Sequence, residues 1–132
     1  MATTPQYSSV PNVGAALLTT GDTSRTAPST TGTIMTAGSS GSRCDNIDFV
    51  ATATTVASAV RIFLYDGSTY HMLTEKPVVA VTASTGVVWE LHLGTQYNPD
   101  IFPIEIKSGW SIRATVNDTQ TGIKAIARRG DF

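Results

Sequence analysis

Charge is the scarcest commodity in this chain of 132 residues. Charged side chains make up 14%, against roughly 25% in an average soluble domain. Nine Lys and Arg stand against ten Asp and Glu, a formal net charge of -1. A nucleic-acid binder that works by neutralising phosphates needs a basic face, so that class is excluded. Cysteine is nearly missing too: Cys44 stands alone, which excludes an intrachain disulfide and a cysteine-built metal cage. No apolar run approaches the ~18–20 residues of a membrane span, so no membrane partner is expected. The opening Met1-Ala2-Thr3-Thr4-Pro5 has neither a basic region nor an apolar one, and a secretory signal is not expected there.

What is present is 41% hydrophobic residue, enough for the core of one domain, set among many Thr, Ser, Ala and Gly. Residues 1–32 differ from the rest. They carry only Asp22 and Arg25 as charges, hold prolines at 5, 11 and 28, and show neither a period of 2 nor one of 3.6. Such a stretch buries too little apolar surface by itself to offset its ordering entropy. Tyr7, Val10, Val13, Ala15, Ala16, Leu17 and Leu18 nevertheless form apolar islands in it. Two readings stand side by side: a flexible tail, or an extended arm laid on a neighbouring subunit.

From Thr33 to Phe132 the pattern has period 2. Strands are expected at Thr33–Ala37, Asn46–Thr54, Val60–Tyr65, Tyr70–Thr74, Val78–Thr82, Val87–Leu93, Trp110–Val116 and Ile123–Ala127, and Pro103–Ile106 leads into a tight turn at Lys107-Ser108-Gly109. Asp66-Gly67 marks a hairpin turn, lengthened by Ser68 and Thr69, and Lys76-Pro77 reads as a break. Ile47, Phe49, Ala51 and Ala53 share one face, and Trp110, Ile112, Ala114 and Val116 share another. Only Gly14–Thr20 has the composition of a short helix. About eight short strands with regular turn signals predict an all-β fold, an antiparallel β-sandwich or jelly roll over 33–132 with an extended N-terminal arm over 1–32.

The residues suited to chemistry are few. Cys44 with His71 or His92 would make a nucleophile and base, but the cysteine opens a strand and the histidines sit on polar strand faces. The histidines and carboxylates show no metal-ligand spacing. Asp45 and Asp48 read as solvating groups, and the Gly-rich turns lack the Gly-Lys-Thr of a phosphate loop. Asn117-Asp118-Thr119 matches a glycosylation sequon by chance. Trp89 and Trp110 fit the core better than a sugar platform. No catalytic residue, metal, cofactor or small-molecule substrate is expected. A low-charge β body with edge strands to cover and an apolar leader reads as a structural building block, a trimer or other ring on a larger lattice.

The Thr/Ser/Pro/Ala-rich stretches (Ala2-Thr3-Thr4-Pro5 and Thr26-Ala27-Pro28-Ser29-Thr30-Thr31) ahead of a small all-β body resemble the decoration, or cement, proteins of tailed-bacteriophage capsids. Val60–Tyr65, Asp66-Gly67 and Ser108-Gly109-Trp110-Ser111-Ile112 are similar to small virion proteins of jelly-roll or sandwich fold. The resemblance covers most of the chain. It implies a homotrimer, made in the host cytoplasm, that sits on the capsid surface, binds the major capsid protein and staples neighbouring capsid subunits. Tyr7, Val10, Val13, Leu17 and Leu18 are then the contacts to the capsid or to a neighbouring subunit. The alternative is a phage tail or fibre module that binds a receptor or glycan, with Tyr65, Tyr70 and Tyr97 at its tip. A sugar-binding or hydrolytic jelly roll comes third, lacking a constellation of carboxylates or metal ligands.

Overall fold

Alternation of apolar and polar residues turns directly into strands, because successive side chains of a strand point to opposite faces. The structure, a computed structural model, describes residues 10–132. Among them are β1 (Val10–Leu18), β2 (Gly32–Thr36), β3 (Ser42–Ala51), β4 (Ser58–Tyr65), β5 (Tyr70–Val78), β6 (Glu90–Leu93), β7 (Ile104–Ile106), β8 (Ser111–Val116) and β9 (Ile123–Asp131). One antiparallel sheet has the order β1-β9-β3-β6, with β7 pairing a separate stretch of β3; the other has the order β2-β8-β4-β5.

The pairings are nested. β4 pairs with β5, outside them β3 with β6 and β7, then β2 with β8, and last β1 with β9. A long antiparallel hairpin rolled over on itself gives this order, which is the connectivity of a jelly roll. The all-β sandwich expected from the sequence is therefore present, and strand order settles its type. Between the sheets lie Ile47, Phe49 and Ala51 of β3, Ile112, Ala114 and Val116 of β8, and Val60 and Ile62 of β4, all buried. Asp66-Gly67 turns the β4–β5 hairpin: Gly67 has φ 101°, and the Asp66 carboxylate accepts the N–H groups of Ser68 and Thr69.

Three local expectations change. Pro77 does not break the chain; it lies inside β5 opposite Ala59. β5 is the edge of its sheet and pairs on one side only, which is where a strand tolerates proline. Residues 79–88 are mostly loop, because their bonds run to Thr54 and Thr55 and within a Ser84–Val87 turn rather than to a neighbouring strand. Gly14–Thr20 is not helical: residues 14–18 belong to β1, paired with Ile123–Ala127 of β9. Tertiary pairing overrides the helix-like composition.

Residues 10–18, within the segment expected to be an arm, thus form an edge strand of the body. β1 lies close against β2 at one side of the sandwich. A Cβ on Gly14 would stand 2.1 Å from the carbonyl oxygen of Ile34, so only glycine fits there. On the far side, the connection between β6 and β7 is tied to β5 by an ion pair of Asp100 with Lys76 at 2.6 Å.

Residues 19–31 then cross from one sheet to the other as a strap over the outer face of the second sheet. The Asp22 N–H donates to the Val116 carbonyl at 2.7 Å. Arg61 points outward from β4, yet it is 1% exposed because the strap covers it. Its guanidinium donates to Glu75, to the Asp22 carbonyl (3.1 Å) and to Asn117 Oδ1 (2.8 Å). The Asp22 carboxylate folds the strap by accepting the N–H groups of Ser24, Ser29 and Thr30. The donors from Ser24 and Thr30 hold its pKa below the usual carboxylate value.

Candidate interaction face on the first strand

β1 has two unlike faces. Gly14, Ala16 and Leu18 point toward the second sheet, and Val13, Ala15 and Leu17 point out. Leu18, expected among the partner contacts, is 4% exposed and belongs to the core. Val10, Val13 and Leu17 are 52%, 64% and 52% exposed. Tyr7, the fifth expected contact, lies outside the described residues.

Register sets this outward row of β1 beside a mixed row of β9, two cations around one isoleucine. Val13 pairs with Arg128, Ala15 with Ile126 and Leu17 with Lys124. On the other side of β9, Ile126 pairs with Asp48 and Lys124 with Val50; beyond these, Asp48 pairs with His92 and Val50 with Glu90. The outer face of the first sheet therefore runs from an apolar margin on β1, through Ile126 and Val50, to a charged margin on β6. Asp48 is buried in the charged part. It accepts from His92 Nδ1 at 2.8 Å and from Arg128 Nη1 at 2.9 Å. The hydrogen bond to the Asp48 carboxylate, helped more weakly by Glu90, raises the His92 pKa above the ordinary histidine value against the opposing effect of burial.

The groups weighed for catalysis are apart. Cys44 is buried, its Sγ lies 3.5 Å from the Asn46 carbonyl, and burial first, then Asp45, pushes the thiol up to about 12. His71 bonds Asp66 at 3.1 Å and His92 bonds Asp48, so neither histidine is Cys44's partner. Asp45 pairs with Arg43 at 2.9 Å and Asp48 with other groups, so these two carboxylates do not act on one site. Among the described residues no group of three or more His, Cys, Asp or Glu is placed to hold a metal. No helix among them is long and apolar enough to cross a membrane.

Trp89 is buried against Phe49, with ring centroids 6.4 Å apart. Trp110 is half-buried and carries the Lys107 ammonium 4.8 Å from its ring centroid. Tyr65 and Tyr70 meet at 4.3 Å, with the Arg113 guanidinium 4.2 Å from the Tyr65 ring. Tyr97 is separate, on the connection between β6 and β7, and 93% exposed.

Two features escape the sequence reading. The Asp48–Arg128 pair joins residues 80 apart, which only strand pairing reveals. Arg61 does leave a signal, a lone charge inside the apolar run Val60-Arg61-Ile62-Phe63-Leu64, but its partners come from the strap, β5 and the loop after β8. The chain matches no protein-family model, no curated protein and no solved structure.

Proposed function

We propose that the chain is a structural virion protein that binds the outer surface of a phage capsid as an oligomer and ties neighbouring capsid subunits together. One observation carries this reading: Val13 and Leu17 lie exposed on the outward face of an edge strand of a jelly roll, with Val10 exposed at the start of that strand. Monomeric surfaces rarely keep large contiguous apolar area, and such area marks protein contacts. Burying it gains roughly 25 cal/mol per Å², and many symmetry-related copies multiply a modest single contact. The partners would be the major capsid protein and further copies of the chain, and the place of action the virion. The fold supports this reading by analogy only, since jelly rolls serve capsids, lectins and enzymes alike.

Co-sedimentation with purified phage particles, split into emptied heads and tails, tests the proposal. The chain is expected to pellet with heads. The variant Val13→Lys/Leu17→Lys, altered only on the outward face of β1, should stay folded and lose the pellet. Binding of both proteins alike would sink the reading. A second reading, a tail or fibre module, draws on exposed Tyr97 and on the Tyr65–Tyr70–Arg113 stack at the β4–β5 hairpin. Binding to tails with bare heads, lost in Tyr97→Ala, would favour it.

A further inference from the structure

The chain has six arginines, and five of them meet a carboxylate: Arg25 and Arg61 meet Glu75, Arg43 meets Asp45, Arg128 meets Asp48 and Arg129 meets Asp131. Arg113 of β8 meets none among the described residues. It stands on the outer face of the second sheet, since Ile112 and Ala114 on either side of it belong to the core. Register sets it opposite Phe63 of β4, and sets Tyr65 between Ser111 of β8 and Tyr70 of β5. Phe63 is wholly buried on this outer face, with the Tyr70 ring edge-on to it at 5.8 Å. Met72, opposite Phe63 on β5, is 40% exposed.

Arg113 is half-buried and firmly held. Its Nε donates to the buried Ser111 Oγ at 3.2 Å, its Nη1 donates to the Tyr70 hydroxyl at 3.0 Å, and its guanidinium carbon lies 4.2 Å from the Tyr65 ring centroid. These partners are uncharged, and they leave Nη2 with no acceptor among the described residues. The carboxylate of the neighbouring turn, Asp66, is engaged elsewhere: it accepts from the Ser68 and Thr69 N–H groups and pairs with His71. A loose surface arginine turns freely to water. This one is fixed against tyrosine with its planar fork in a set position, so an incoming anion loses little by binding to it. Charges held partly out of water are ordinarily paired, and this cluster supplies no partner of its own.

We propose that Arg113, Tyr65 and Tyr70 form a binding site for an acidic saccharide, a sugar ring that carries a carboxylate. A planar carboxylate matches the guanidinium fork. One cation, with Asp66 on the adjoining turn, favours a singly charged anion over a doubly charged phosphate. The two half-buried tyrosines and Met72 border the cation, so the ligand also needs an apolar flank together with polar groups. A pyranose offers both, C–H groups on its face and hydroxyls around its rim. A peptide carboxylate fits less well. The sheet edge beside the site is β5, where Leu73 is an extra residue in the pairing with β4, and such a bulge blunts the addition of a further strand. The inference does not rest on the capsid reading: the site belongs to the second sheet, and the outward face of β1 takes no part.

NMR titration of the isotope-labelled full chain with sodium glucuronate and sodium N-acetylneuraminate, beside glucose, acetate and inorganic phosphate, tests it. At least one sugar acid is expected to move the Arg113 Nε–H signal and the Tyr65, Tyr70 and Ser111 amides along one saturable curve. Glucose keeps the ring without the carboxylate and acetate the carboxylate without the ring, so each should bind about tenfold more weakly or less. Arg113→Lys keeps the charge but loses the fork, and should weaken the sugar acid about tenfold. Tyr65→Leu should weaken it too, with an unchanged circular-dichroism spectrum, while Val13→Lys/Leu17→Lys should bind like the wild type. No saturable shift at this cluster with either sugar acid overturns the inference, as does binding that survives Arg113→Lys. Acetate, phosphate or a short peptide with a free carboxyl end that binds as tightly as the sugar acids overturns the choice of a saccharide.

Discussion

β1 and the strap follow one another in sequence, share the same low-charge composition, and are held to the body in opposite ways. The strap is fixed by charged and polar groups: a buried guanidinium with three acceptors, and one carboxylate that gathers three backbone N–H groups. β1 is fixed by a backbone ladder to β9 and by having almost no side chain on its inner face, where Gly14 and Ala16 allow close approach and only Leu18 is buried. The strap's Asp22 carboxylate and the Arg61 guanidinium beneath it spend their hydrogen bonds within the molecule. On β1, Val13 and Leu17 face out. Two neighbouring stretches of similar composition thus serve anchoring and presentation.

The largest expected disturbance removes the anchor. Arg61→Met should destabilise the fold by about 3 kcal/mol, since losing one partner of a buried ion pair strands the others. Urea unfolding measures the loss, and amide exchange should show residues 19–31 opening before β3 or β8. Gly14→Ala attacks the other attachment. A methyl at 2.1 Å from a backbone oxygen forces β1 to shift, at a cost of about 1–3 kcal/mol. Here the β1 amides should lose protection while the strap stays closed; if both segments open together in each variant, they are one unit and the contrast is wrong.

A smaller effect of opposite sign belongs to Thr115, under the strap. Its Oγ1 is buried and has no hydrogen-bond partner among the described residues, beside a cavity of about 60 Å³ lined by Thr19, Thr20, Thr30 and Thr31. Thr115→Val should stabilise the protein by about 1 kcal/mol, because an unsatisfied buried hydroxyl costs at least that much. A drop in melting temperature would mean that the cavity serves the hydroxyl. The smallest effect concerns the charged margin of the β1 face. The His92 imidazole, titrated by NMR, should show a pKa above the ordinary value, and Asp48→Asn should bring it down. Because this pKa is raised in the folded state, the pair's contribution is full below the ordinary histidine pKa and fades as pH rises through the folded-state value. With His92 about half exposed, it should stay below about 1 kcal/mol.

Strands with strict alternation were legible beforehand. β8 and the apolar face of β3 follow from residue spacing, and the β4–β5 turn from Asp66-Gly67. β1 was not legible, since Gly-Ala-Ala-Leu-Leu favours no strand and only the presence of β9 and the nearness of Ile34 decide its form. Pro77 misled for a related reason: whether proline ends a strand depends on whether that strand is an edge. Of the candidate contacts, alternation separates Leu17 from Leu18 but does not tell which of them faces the core.

The amino-acid sequence by itself determined an all-β body, its main strands and the poverty of charge, because period-2 patterning, turn residues and composition are local properties. Tertiary structure alone decided the jelly-roll order, the burial of Arg61, and the split of β1 into a buried and a presented face. Each of these depends on pairing between residues far apart in the chain, and nothing in a single stretch of sequence names its partner.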